Sequence, residues 1–129
     1  MSVKRILIID NEEEICKVVK AGLEKMGDYR VDMALNGKKG IELAREIKPD
    51  LILLDVMMPE MDGFEVIKRL KAERDTVTIP VVMLSGLDDD TTKIKGAQLM
   101  NEQYITKPAA ISDLKDKIDD VLNRRGNAR

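Results

Sequence analysis

The chain has 129 residues, enough for one domain with a single substantial core. Its charged fraction is 36%, its net charge is -2 with both signs interspersed, and its aromatic fraction is 2%, which argues against attraction to nucleic acid or anionic membrane and against a base-stacking surface. There is no histidine and only one cysteine, so Ser-His-Asp or Cys-His catalysis within the chain and an internal disulfide are excluded, and the composition argues strongly against a zinc centre.

The first predicted element is the strand RILIID (5–10), ending in Asp10 and Asn11. Ile15, Val18, Val19, Leu23 and Met26 then fall on one helical stripe, with Cys16 as a small helix residue. YRVDMAL (29–35) alternates Tyr29, Val31, Met33 and Leu35 against Arg30, Asp32 and Ala34, the pattern of an edge strand. Ile41, Ala44 and Ile47 mark a helix that ends before Pro49. DLILLD (50–55) is a greasy strand that runs straight into a carboxylate, Asp55. Pro59 and Gly63 break regular structure, and Asp62 with Glu65 suits a capping box opening a helix through Phe64, Ile67 and Leu70. IPVVMLS (79–85) is the fourth strand. The stretch 88–100 carries a weaker helical stripe of Ile94, Ala97 and Met100. QYIT (103–106) is a short strand suited to an edge, and Leu114, Ile118, Val121 and Leu122 define the last helix. One domain over residues 1–124 is expected, with 125–129 a polar tail or the start of a linker. No apolar run approaches the ~18 residues of a membrane span, and the N-terminus does not read as a signal peptide. The expected location is the cytoplasm, which also fits the lone cysteine.

A βα unit repeated five times implies an α/β fold, a doubly wound five-stranded parallel sheet with helices on both faces. Runs 1, 3 and 4 are continuously apolar, as strands buried on both faces must be, and the expected order is 2-1-3-4-5 with right-handed crossovers. In that order strands 1 and 3 are neighbours, and the crevice at their C-terminal ends is the switch point where doubly wound sheets bind ligands. Asp10, Asn11 and Asp55 stand there. Two close carboxylates repel unless a cation lies between them, and oxygen donors without imidazole or thiolate suit a hard ion such as magnesium. Ser85 ends strand 4 and Lys107 follows strand 5 on the same side. A hydroxyl, an ammonium and a metal around one carboxylate suit phosphoryl transfer, with Asp55 as nucleophile. Taken singly, Asp10 and Asp55 are equally readable as turn caps, Ser85 as a turn residue and Lys107 as a surface lysine. Four strand ends on one side of a sheet carrying these groups together favour the site.

These residues resemble a family. IID (8–10), LLDVMMPEMDG (53–63), MLSG (83–86) and YITKP (104–108) are similar to the receiver domain of two-component response regulators, over essentially the whole chain. The resemblance implies a flavodoxin-like three-layer sandwich. It implies that Asp55 accepts a phosphoryl group from a histidine kinase or phosphotransfer protein in trans, with Mg2+ or Mn2+ held by Asp10, Asn11, Asp55 and the Met57 backbone carbonyl. Ser85 and Tyr104 take the switch positions, Lys107 contacts the phosphoryl group, and the Lys107–Pro108 peptide is expected to be cis. Conformational change around the 88–100 and final helices would pass the signal to a downstream protein or effector domain. Such a chain is a phosphoacceptor that assists its own phosphotransfer and dephosphorylation, not an enzyme acting on an outside substrate.

The chain departs from the family pattern in three places. Asn11 replaces an acidic residue, with Glu12 beside it as a possible auxiliary ligand; Met100-Asn101 replaces Gly-Ala; and Ala109 replaces an aromatic residue. Asn11 is the feature that favours the alternative, a receiver-like interaction module without phosphorylation. A dehalogenase-like phosphatase also uses a strand-end Asp and magnesium, but wants an acidic residue two positions on, where Met57 stands. Neither glycine-rich nucleotide-binding motif occurs.

Overall fold

The computed structural model describes residues 3–86 and 103–127. In chain order it contains β1 (Lys4–Ile9), α1 (Glu13–Met26), β2 (Tyr29–Ala34), α2 (Gly37–Ile47), β3 (Leu51–Asp55), α3 (Gly63–Lys71), β4 (Val81–Ser85), β5 (Gln103–Thr106) and α4 (Ile111–Asn127). The strands are all parallel and ordered β2-β1-β3-β4-β5, as the sequence implies. The helix expected over 88–100 lies outside the described residues.

Strand alternation divides the core into two layers. Leu7, Ile9, Ile52 and Leu54 point toward α2 and α3, meeting Ile41, Ala44, Ile67 and Leu70. Ile6, Ile8, Leu51 and Leu53 point the other way, meeting Cys16, Val19 and Leu23 of α1 and Leu114 and Ile118 of α4. Each such aliphatic side chain contributes about 1.5–3 kcal/mol on burial. This explains why β3 and β4 have no polar side until their last residue: every position but the ends has apolar packing above or below it.

The helix ends follow local chemistry. Asn36 caps α2, its Oδ1 accepting the Lys39 N–H at 2.8 Å. At the other end Lys48 takes a left-handed conformation with φ 48, and Pro49 follows. The expected capping box at α3 is half made. Asp62 accepts the Glu65 N–H at 3.0 Å, while the Glu65 carboxylate turns along the helix to Arg69 at 2.9 Å. At one point the sheet and a helix come very close: a Cβ on Gly40 would lie 2.5 Å from Ile9 Cδ1.

Several expectations are corrected. Val18 and Met26 do not belong to the buried stripe of α1; they are 61% and 45% exposed. The face turned to the sheet is Cys16, Val19 and Leu23, and Val18 instead lines an open apolar groove of about 510 Å³ with Ile15, Pro108, Ala109 and Ile111. On β2 the alternation fails at its end: Ala34 is buried among α2 residues, whereas Leu35 lies beyond the strand and is exposed. The final helix runs to Asn127.

β2 is an edge strand, and α1 covers part of its free side. Lys20 Nζ donates to the Val31 carbonyl at 2.8 Å and Glu24 accepts the Val31 N–H at 2.9 Å. At the opposite end of the sheet from the predicted site, Asp119 of α4 binds Lys4, Lys115 and the Tyr29 hydroxyl, tying α4 to the start of β1 and β2.

Candidate functional site

Asp10 leaves β1 just past Ile9, its N–H donating to the Ala34 carbonyl at 3.1 Å. It is fully buried, and its two oxygens have separate partners. Oδ1 accepts the Glu12 N–H at 2.9 Å, closing a tight turn into α1. Oδ2 accepts from Lys107 Nζ at 2.9 Å. Asp55 is the last residue of β3, between β1 and β4. Its Oδ1 lies 3.2 Å from the same ammonium, and its carboxylate also takes the Met57 N–H. Both aspartates therefore accept a turn N–H and also face the same ammonium.

Lys107 follows β5, where its N–H donates to the Ser85 carbonyl at 2.7 Å, and the Lys107–Pro108 peptide is cis. From there its side chain reaches back across β4 to the two aspartates. Glu12 approaches from the α1 side, its Oε1 3.8 Å from Lys107 Nζ. Ser85 is fully buried, and its hydroxyl has no hydrogen-bond partner among the described residues.

The electrostatics are those of carboxylates held close in a dry place. Burial, reinforced by Asp10, pushes the Asp55 carboxyl up to about 6, against the opposing pull of Lys107 and the Met57 N–H. Burial alone would lower the Lys107 ammonium, but Asp10 and Asp55 outweigh it and its pKa ends raised. Beneath Asp10 the Cys16 thiol donates to the Asp10 carbonyl at 3.4 Å. Burial, with Asp10 nearby, pushes that thiol up to about 12, so it is a neutral packing group rather than a thiolate.

Asp10, Glu12 and Asp55 each offer a carboxylate oxygen, all within 4.8 Å of one another. Three carboxylates around one ammonium leave negative charge in excess, and an all-oxygen donor set fits a hard divalent cation. The structure thus brings together Asp10, Asp55, Lys107 and Glu12, with Ser85 on the adjoining strand end. Asn11 is exposed beside them, and Met57 directs its side chain to solvent, 66% exposed. Tyr104 stands apart from this group: it pairs with Met83 on β4, below the Ser85–Thr106 row, and packs half-buried against the α2–α3 core layer.

Two contributors escape the sequence reading. Cys16 supports Asp10 through the thiol contact, and no spacing rule signals a contact across that turn. Gly63 lets α3 start directly behind Asp55: a Cβ there would lie 2.8 Å from the Asp55 carbonyl oxygen, and its N–H donates to the Val56 carbonyl at 2.9 Å. The Asp-Gly pair at the head of a helix was the available signal for such a close approach.

A family model described as response regulator receiver domain matches residues 6–119. Among characterised relatives, the DNA-binding dual master transcriptional regulator RpaA of Synechocystis sp. is 41% identical over 93% of this chain and 49% of its own length. The alkaline phosphatase synthesis transcriptional regulatory protein PhoP of Bacillus subtilis is 36% identical over 94% of this chain and 49% of its own. The chain therefore spans about half the length of the curated relatives it matches. A CheY-like response regulator receiver domain protein from Methanospirillum hungatei superposes with TM-score 0.89 at 27% identity, covering 99% of this chain and 100% of the other. A receiver domain protein from Clostridium thermocellum gives TM-score 0.89 at 26% identity, covering 98% and 100%.

Proposed function

This chain belongs to the response regulator receiver family, and on that premise we propose that it takes a phosphoryl group onto Asp55 from a histidine kinase or phosphotransfer protein in trans. One observation carries the reading: the Lys107 ammonium sits 2.9 Å from Asp10 and 3.2 Å from Asp55 at the switch point of the sheet, beside a Ser85 hydroxyl that has no hydrogen-bond partner among the described residues. An Asp55 oxygen attacks phosphorus, the bond from phosphorus to the donor's imidazole nitrogen breaks, and the imidazole leaves with its electron pair and takes a proton from solvent. The product on this chain is an acyl phosphate.

The chain's residues have distinct parts in that step. Lys107 meets the negative charge of the phosphoryl oxygens with its ammonium, Ser85 donates its hydroxyl to one of them, and burial keeps bulk water from competing. Asp10, Glu12 and Asp55, with Asn11 and the Met57 carbonyl beside them, would hold Mg2+ or Mn2+. When bound, the metal neutralises the excess carboxylate charge and the phosphoryl oxygens, allowing the two anionic partners to approach. The same groups would assist loss of the phosphoryl group to water, so the chain is a self-assisting phosphoacceptor rather than an enzyme for an outside substrate. Movement of Ser85 toward the phosphoryl group, followed by Tyr104, would pass the signal to a downstream protein or a further domain. We place this exchange in the cytoplasm. Among the described residues no helix is long and apolar enough to cross a membrane.

Incubation with acetyl phosphate and magnesium, followed by intact-mass spectrometry, tests the reading. One phosphoryl mass should appear on the wild type and be absent from Asp55→Asn. An unmodified wild type that also fails to bind a beryllofluoride mimic would favour the interaction-module alternative.

A further inference from the structure

We propose that the open end of the β2 edge receives a short, extended, basic segment of a partner protein, which adds to the sheet beside Met33 and lies along α2. The proposal does not depend on the phosphoacceptor reading, since none of the residues it uses belongs to the Asp55 pocket. It starts from the hydrogen-bond direction along β2. The Lys4 N–H donates to the Asp28 carbonyl at 2.8 Å and the Asp10 N–H to the Ala34 carbonyl at 3.1 Å, in a register that sets Ile6 opposite Val31 and Ile8 opposite Met33. In a parallel ladder each residue turns its N–H and C=O to one side and the next residue to the other. Arg30, Asp32 and Ala34 therefore serve β1, while Val31 and Met33 face the free edge. Helix α1 answers both groups of Val31, through Lys20 and Glu24. It does not reach Met33, whose N–H and carbonyl make no hydrogen bond on that side among the described residues.

An open groove of about 520 Å³ borders this stretch of edge, lined by Met33 and Leu35 and, from α2, by Leu43, Glu42 and Glu46. Exposed Leu35 and half-buried Leu43 give it apolar surface. Glu42 and Glu46, one helical turn apart, are both exposed and make no ion pair among the described residues. Arg45, which feels Glu42, is committed to Glu73 by two hydrogen bonds. Lys39 on the same rim leaves one negative charge in excess. A strand that lays apolar side chains over Leu35 and Leu43 and sets a lysine or arginine against the two carboxylates fits this surface, with main-chain bonds to Met33 supplying the pairing. A second copy of the chain fits it poorly. Pairing β2 with β2 would bring two acidic rims together and would place Val31, already closed on both its groups, inside the new ladder. The closure of Val31 also keeps the added segment short, which suits reversible binding.

The test follows the isotopically labelled full chain by nuclear magnetic resonance. The probe is an acetylated and amidated peptide of about six residues, alternating valine with lysine. The backbone amide signals of Met33 and Leu35 should move on titration. With peptide at about ten times its Kd, solvent exchange of the Met33 amide should slow about tenfold. The double variant Glu42→Gln, Glu46→Gln should keep a folded spectrum and bind the peptide about fivefold more weakly. A peptide with glutamate in place of lysine, and one N-methylated throughout, should each fail to bind. Absence of binding at millimolar lysine peptide overturns the proposal, as does undiminished binding of the N-methylated peptide or a set of shifts confined to the groove of Ile15, Val18 and Ala109. Equal binding of the glutamate peptide, or unchanged binding by the double variant, overturns the basic partner. Met33 shifts that grow with protein concentration alone, together with a dimer in sedimentation, would make a second copy the occupant and overturn it likewise.

Discussion

Asp55→Asn should stabilise the metal-free protein, and by an amount that depends on pH. Asp55 is ordinarily a carboxyl of pKa 3.8 and is pushed to about 6 in the fold, by burial and then by Asp10. Between those values the folded chain holds a proton that the unfolded chain has released. Folding therefore becomes less favourable as pH rises through that window, and the penalty is complete above it. A shift of about two units at 1.36 kcal/mol per unit amounts to about 3 kcal/mol. Asp55 is nearly inaccessible, its side chain 7% exposed, so solvent screening does little to reduce this. Asp10 lies close by, and an amide at 55 removes its repulsion. Urea unfolding followed by circular dichroism in EDTA, from pH 4 to pH 8, measures the effect. The gap between variant and wild type should widen by about 3 kcal/mol across that range. Saturating magnesium should then close the gap by stabilising the wild type, by about 2.7 kcal/mol at a hundred times the dissociation constant. Parallel stability curves for the two proteins would refute the argument, since they would mean that Asp55 has the same proton affinity folded and unfolded.

Asp119 should behave with the opposite sign. Burial acts to raise its pKa, but hydrogen bonds from Lys115, Tyr29 and Lys4 outweigh that and bring it down to about 2, so its contribution is present above pH ~4 and lost as pH falls toward ~2; Asp119→Asn should flatten the acid limb of the unfolding curve. Gly40→Ala gains helix propensity of about 1 kcal/mol but sets a methyl 2.5 Å from Ile9 Cδ1, and overpacking of about 1–3 kcal/mol should win, seen as a lower urea midpoint. Ser85→Ala should remain open to phosphorylation by acetyl phosphate, because Asp10, Asp55 and Lys107 are untouched, while the nuclear magnetic resonance shift of a ring-labelled Tyr104 on adding beryllofluoride should disappear.

The sheet order was legible because each strand's apolar pattern states how many of its faces are covered, and the order then carried Asp10, Asp55, Ser85 and Lys107 to one edge without further assumption. What the pattern could not give was direction within a helix. Val18 and Val19 are equally apolar, and only the packed position of α1 decides that Val19 meets the sheet and Val18 a groove. Leu35 and Ala34 were exchanged for a similar reason: an alternating pattern does not mark where the strand stops, and hydrophobicity ranks leucine above alanine even where it is the alanine that packs in the α2 layer. The place of the Glu12 carboxylate beside Lys107 depends on the hydrogen bond from its own backbone to Asp10, a tertiary detail with no sequence period.

The covering of Val31 by Lys20 and Glu24 bears on how the protein keeps to itself. A strand edge whose N–H and carbonyl point outward is a template on which another chain can add a strand, and repeated addition leads to fibrils. Here a neighbouring chain would have to displace an ammonium from the Val31 carbonyl and a carboxylate from its N–H. Hydrogen bonds to charged groups are worth about 1.5–3 kcal/mol each, more than the neutral backbone bonds that would replace them. The surface of α1 thus guards against polymerisation at β2. Because the guard is a lysine and a glutamate from one helix turn, chemical neutralisation of either, such as acetylation of Lys20, would weaken the barrier without touching the core.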